Sequence, residues 1–234
     1  MYIYINLERY QFDELFCDIH SRDTFLKVKL KVLEYLQIWT GNKAIVPPYV
    51  CIDFENLHRA FLVNQDEHKI ISFAFDFTIK TESPDYTKDN LIRSIHYYST
   101  YGKIEPRNIS EAQVILSEYS SSVNKTYNEL GFDDEDNIAP ESYRLFEFLL
   151  FREDGYIRYD YDVQGYRPRF HPINHFDINY SEPSHYKIGL EHKIDVNCFM
   201  SVVDKKEPCA VLETKPTNKS TKKHKKKGGR RTRK

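Results

Sequence analysis

The last twenty residues, Lys215 to Lys234, hold eleven Lys and Arg, no Asp or Glu and no large apolar side chain. Such a segment cannot bury enough surface to offset its ordering entropy and is expected to be disordered. Whatever folds must therefore fold from residues 1–214. Charge divides at the same place. Removing those eleven from the chain's 34 basic residues leaves 23 against 35 acidic ones, a net charge of -12 on the body. The sequence predicts a single acidic domain over 1–214 and a disordered polybasic tail over 215–234.

Within the body, 15% of residues in the chain are aromatic, mostly Tyr and Phe, which favour strands. The strongest helix spans 21–39. Ser21 or Asp23 can accept from free first-turn amides, and Phe25, Val28, Val32, Leu36 and Trp39 recur at helical steps. Lys27, Lys29 and Lys31 fall largely on its other face, and Thr40-Gly41-Asn42 stops it. Tyr49–Phe54, Arg59–Val63 and Ile70–Ile79 read as strands, the last with Phe73, Phe75 and Phe77 in alternation. Residues 81–85 read as loop, 88–101 and 110–130 have helical spacing, and Asp133-Asp134-Glu135-Asp136 reads as an exposed acidic loop. Asp154-Gly155 between two strand-like runs predicts a hairpin over 144–163, although Leu145, Phe148 and Leu149 also fit a helical face. Together these elements predict an α+β fold, mainly antiparallel sheet with a few packed helices. The four cysteines are scattered, as reduced, buried, small apolar residues are.

Side chains alternate faces along a strand. Over 157–163 the residues Ile157, Tyr159, Tyr161 and Val163 share one face, and Arg158, Asp160 and Asp162 the other. Over 175–180 Phe176, Ile178 and Tyr180 oppose His175, Asp177 and Asn179. If the two strands pair with their apolar faces in a core, Arg158, Asp160, Asp162, His175, Asp177 and Asn179 merge into one polar patch, with His171 at its end. Two chemistries fit it. Imidazoles and carboxylates can hold a divalent metal that activates water. Without metal, a His can act as general base beside an Arg that stabilises a phosphoryl group. The bland alternative is the polar outer face that any one-layer sheet carries.

Tyr159-Asp160-Tyr161-Asp162, His171-Pro172-Ile173-Asn174-His175-Phe176 and Tyr186-Lys187-Ile188 resemble the closing region of an uncharacterised, mainly bacterial family, the one called domain of unknown function 2290. The likeness covers about residues 145–203. It implies a short strand at 187–189, where Lys187-Ile188-Gly189 replaces Arg-Ile-Pro, and a helix holding Val196-Asn197-Cys198-Phe199-Met200. It implies no activity. A fainter likeness is to small toxin-type ribonuclease domains with a His-rich strand. The tail looks like the basic C-termini common in proteins of large DNA viruses.

A polybasic arm binds polyanions by counterion release, without sequence preference. Lys222, Lys223, Lys225, Lys226, Lys227, Arg230, Arg231, Arg233 and Lys234 are the expected contacts to DNA or RNA. No aromatic interrupts the tail, so it offers no base stacking. The leading expectation is a soluble protein associated non-specifically with nucleic acid through the tail, its acidic body free to bind another protein. The alternative is a nuclease or other phosphoryl-transfer hydrolase, metal-dependent or not, built on Arg158, Asp160, Asp162, His171, His175 and Asp177. A divalent metal enters only under that alternative. No run is long and apolar enough for a membrane span or a signal peptide. The expected setting is therefore intracellular, cytoplasmic or nuclear, or a virion or virus factory for a viral protein, and not secreted.

Overall fold

A computed structural model describes residues 2–42, 44–82, 92–98, 102–121, 138–182 and 184–211. The whole tail and the Asp133–Asp136 run lie outside the described residues. The fold is α+β, as the alternation and helical spacing predict. Strands β1 (Tyr2–Asn6), β2 (Tyr49–Asp53), β3 (Arg59–Val63), β4 (Lys69–Ala74), β8 (Ile157–Tyr161), β9 (Asn174–Ile178) and β10 (Tyr186–Leu190) form one antiparallel sheet in that order. Strands β5 (Phe77–Thr81), β6 (Ile92–Tyr97) and β7 (Lys103–Ile104) make a second, three-stranded sheet. The helices are α1 (Arg9–Leu15), α2 (Arg22–Gln37), α3 (Pro106–Ser121), α4 (Pro140–Phe151) and α5 (Val196–Val203).

Helix α2 begins where its first turn is capped: the Ser21 hydroxyl accepts from the Thr24 amide. Phe25, Leu26, Val28, Leu30, Val32, Leu33 and Leu36 are all buried in the main core. Each full burial of such a side chain contributes about 1.5–3 kcal/mol, so this helix holds the main core in place. The core continues through Val50, Ile52, Ala60, Leu62, Ile71 and Phe73 of the sheet to Ile109, Ile115, Leu145 and Leu149 of α3 and α4. The opposite face of the sheet carries a smaller core. There Tyr49, Cys51, Phe61, Ile70, Tyr159 and Phe176 meet Val196 and Phe199 of α5.

Several expectations need correction. The 70–79 run is two strands: β4 ends at Ala74 and β5 starts a different sheet at Phe77. The stretch read as helix over 88–101 contains strand β6, whose Ile95 and Tyr97 point into the core while neighbours are more open. The 144–163 hairpin does not form. Its first arm is helix α4, started by Pro140 in its first turn, and Gly155 takes the left-handed φ of 53° that returns the chain to β8. The N-terminal segment is edge strand β1. Cys51 is buried, but Cys17 is half-buried and Cys198 and Cys209 are exposed; all four are free thiols. Among the described residues no helix is long and apolar enough to cross a membrane.

Candidate functional site: a charge network on strands β8 to β10

The register of the large sheet shows how the site arises. One row of directly paired residues crosses it from edge to edge: Ile5, Val50, Leu62, Ile71, Arg158, Asp177 and Lys187. The first four are apolar and lie in the main core. The last three are charged. The next row reads Lys69, Asp160, His175 and Gly189. The face that packs on helices over β1–β4 thus becomes a cluster of ionisable groups over β8–β10. The other face stays apolar across the same strands, through Ile70, Tyr159, Phe176 and Ile188.

Asp177 is the hub. It is 1% exposed and ion-paired to Arg158 and Lys187, and its Oδ1 lies 2.9 Å from Nε2 of His185. Arg158 bridges to the second carboxylate, its Nε donating to Asp160 Oδ2 at 2.7 Å. His175 is fully buried. Its Nδ1 donates to the Pro172 carbonyl at 2.8 Å, which turns Nε2 inward. There Nε2 lies 3.0 Å from the Lys187 ammonium and 3.6 and 3.8 Å from Asp177 and Asp160. Two carboxylates face two cations, Arg158 and Lys187. A charge group of this size is tolerated inside a protein only when paired in this way.

The carboxylates are pushed apart. Burial raises the Asp160 carboxyl above the usual Asp range, more than Arg158 and Lys69 lower it, and the neighbouring Asp177 adds to the rise. Burial would also raise Asp177, but its contacts with His175, Arg158 and Lys187 outweigh that and hold it well below the usual range. Arg158 loses solvation, yet the two carboxylates more than compensate and raise it further.

The loop between β8 and β9 closes one side. Asp162 Oδ1 accepts from the Gly165 amide at 2.7 Å, an Asx-type turn that leaves no room for a side chain at 165. Its Oδ2 lies 3.2 Å from Nε2 of His171, a buried nitrogen that makes no hydrogen bond. The His171 ring stands edge-on to His175, centroids 4.6 Å apart. Burial, then the charges of Lys187 and His175, hold His171 below its usual value of 6.5. Pro172 rests on Gly189 of β10, where a Cβ would stand 2.8 Å from its Cγ.

All six residues nominated from sequence thus meet in one network. Asn179 does not join them. It adopts a left-handed φ of 60° and donates to the Ser184 carbonyl. That twist also breaks the alternation, so Tyr180 leaves the Phe176 face and packs against Phe25 and Tyr156 of the main core. Sequence reasoning missed His185 and Lys187 as site residues. Lys187 was legible in principle, since it alternates with Tyr186 and Ile188 and so shares the polar face. His185 precedes the strand, and no periodicity marks it.

Exposure sorts the members. His175 and Asp177 are sealed, at 0% and 1%. Arg158 and Lys187 are 21% exposed, and His171 and His185 28%. The exposed four can touch a ligand; the sealed ones can only hold them in place. Asp160, His175 and Asp177 also bring one ligand atom each within 4.8 Å of one another, a nitrogen and two oxygens suited to a divalent cation. The Lys187 ammonium sits against the same atoms. A scan against protein-family models returns no match, and neither a curated protein nor a solved structure matches this chain.

Proposed function

We propose that the protein is a nucleic-acid-associated phosphoryl-transfer hydrolase that cleaves RNA by general acid–base catalysis at the β8–β10 network. The tail supplies sequence-independent affinity through Lys222, Lys223, Lys225, Lys226, Lys227, Arg230, Arg231, Arg233 and Lys234. The observation that supports the chemistry is a partly exposed rim of two histidines, an arginine and a lysine, held by sealed carboxylates.

In this reading His171, its Nε2 buried beside Asp162 and its imidazole kept neutral, takes the proton of a ribose 2′-hydroxyl through Nδ1 as the 2′-oxygen attacks phosphorus. The P–O5′ bond breaks, and His185 gives a proton to the departing oxygen. Arg158 and Lys187 stabilise the charge on the non-bridging oxygens. Asp160, His175 and Asp177 position those groups and do not themselves meet substrate. Asp162 shapes the loop that carries His171.

A second reading rests on the converging donors of Asp160, His175 and Asp177. A divalent cation that displaced Lys187 would activate water and cleave DNA as well as RNA. Incubating RNA and DNA with the protein in chelator, Mg²⁺, Mn²⁺ or Zn²⁺ separates the two. Cleavage of RNA alone, in chelator, lost in His171→Ala and kept in a chain ending at Glu213, is the expected result. Cleavage of both polymers only with metal selects the second reading. No cleavage under any condition, with binding lost on truncation, leaves a tail-driven binding protein.

A further inference from the structure

The β8–β9 loop displays Val163-Gln164-Gly165-Tyr166-Arg167-Pro168-Arg169-Phe170 directly before His171. On an acidic body, this stretch carries two arginines and no carboxylate. Tyr166 is 49% exposed and Phe170 82%, the second being among the most exposed large apolar side chains of the described residues. Among those residues neither ring packs on another ring, and neither Arg167 nor Arg169 meets a carboxylate. Lone aromatics left in water mark a contact surface when they cluster.

The loop is also built to hold its shape. Arg167 and His171 exchange two backbone hydrogen bonds, at 2.9 and 2.8 Å, and the Phe170 amide donates to the Arg167 carbonyl at 3.1 Å. The Asp162–Gly165 turn fixes its base. Arg169 holds a left-handed φ of 70°, which an L residue adopts only where its surroundings impose it. A surface whose conformation is set in advance loses little entropy when a ligand binds.

We infer that this loop is a docking platform for single-stranded nucleic acid, with Tyr166 and Phe170 stacking on bases and Arg167 and Arg169 meeting the flanking phosphates. Stacking on aromatic rings with arginines alongside is how single strands are held without sequence preference. It deepens the reading of the rim as a phosphoryl-transfer centre, on which it rests: Phe170 is chain neighbour to His171, so a base stacked there carries its backbone to the site. It also supplies what the tail lacks, since no Phe, Tyr or Trp follows residue 214. A duplex hides its base faces and is excluded as the preferred ligand.

The test uses the full chain and a short DNA oligonucleotide containing 2-aminopurine, whose fluorescence falls when its base stacks on a ring. DNA lacks the 2′-hydroxyl and survives the assay. The tail can bind this probe but has no Phe, Tyr or Trp to stack on it. Wild type is expected to quench the single strand and to bind its duplex at least about tenfold more weakly. Tyr166→Leu and Phe170→Leu keep apolar bulk on an exposed loop, so folding is unaffected; each should weaken quench-detected binding about tenfold. Quenching equal in wild type and the Tyr166→Leu/Phe170→Leu variant overturns the inference, as does binding of anionic lipid vesicles in place of the oligonucleotide. The two proposals fail separately. RNA cleavage indifferent to both rings sinks the platform and spares the hydrolase; ring-dependent quenching without cleavage by any form does the reverse.

Discussion

Asp154 and Asp177 are both carboxylates shared between an arginine and a lysine inside the same fold, and they differ in everything around them. Asp154 pairs with Arg22 and with Lys29, and accepts from the Tyr180 hydroxyl at 2.8 Å. Arg22 goes on to donate to the carbonyls of Leu149, Leu150 and Arg152, the otherwise unpaired C-terminal groups of α4. Its charge suits the negative end of that helix. Lys29 is buried under the Phe25 ring, and burial lowers its pKa more than Asp154 restores it. The expectation that Lys29 lies on the outer face of α2 is corrected here: it is part of the core side, tolerated because Asp154 meets it. Every group in this cluster serves helix packing, and no histidine is present. Around Asp177, by contrast, three histidines and a second carboxylate crowd in, and four members reach solvent. A buried ion pair alone is therefore weak grounds for function. Titratable imidazoles at the edge of one, with an unpartnered nitrogen, are stronger grounds.

If the contrast holds, the largest effect on stability lies at the first cluster and none of the chemistry does. Asp154→Ala leaves the buried Lys29 without its carboxylate, and is expected to lower unfolding free energy by about 3–5 kcal/mol. Denaturant titration measures this. Cleavage per folded molecule should stay at wild-type level; a well-folded Asp154→Ala protein that no longer cleaves would erase the distinction between the clusters. His171→Ala should behave in the opposite way. Its side chain is partly exposed and its buried Nε2 makes no hydrogen bond, so the unfolding midpoint should move little, while the cleavage rate falls by about 10²–10⁴-fold.

Much of this contrast was legible in the sequence. Alternation placed Arg158, Asp160, His175 and Asp177 on one face, and antiparallel pairing brought them together because the opposite faces had a core to fill. What alternation cannot give is burial. The patch was read as a possible solvent face, and it is covered by the β8–β9 loop, which depends on Gly165 and Gly189 accepting close neighbours. The Asp154 cluster was invisible for another reason. Arg22 and Lys29 each lie over a hundred residues from Asp154 in sequence, and Asp154-Gly155 mimicked a hairpin turn. The strand at β6 was read as helix because Leu91, Ile95 and Tyr98 recur at helical steps, whereas the buried side chains of the strand are Ile95 and Tyr97, two residues apart. Gly189 sharpens the point about cover. A methyl there meets the stiff Pro172 ring, which must shift and take its carbonyl away from His175. Gly189→Ala should cost about 1–3 kcal/mol of stability, and should reduce cleavage less than His171→Ala does. Unfolding and cleavage assays on one preparation test both statements. Full activity in this variant would mean that His175 needs no support from the loop.

The smallest effect is the most specific. His171 titrates below its usual 6.5 because burial, then the charges of Lys187 and His175, disfavour the imidazolium. A group depressed in this way binds more protons unfolded than folded, so it adds stability that is complete above 6.5 and is lost as pH falls through the lowered value. If neutral His171 is the base, cleavage should fall on the acid side with a midpoint below 6.5. Lys187→Met removes one depressing charge and leaves Asp177 less compensated; both changes make protonation easier, so the midpoint should rise toward 6.5. Total activity will fall too, because Lys187 faces the phosphate in the proposed chemistry, and the normalised profile is the quantity to compare. Asp154→Ala lowers stability far more, yet its carboxylate is not among the groups acting on His171 and should leave the midpoint in place. A midpoint that moves in Asp154→Ala, or stays in Lys187→Met, would show that the two clusters are electrostatically one, and that the division between scaffold and chemistry lies elsewhere in the fold.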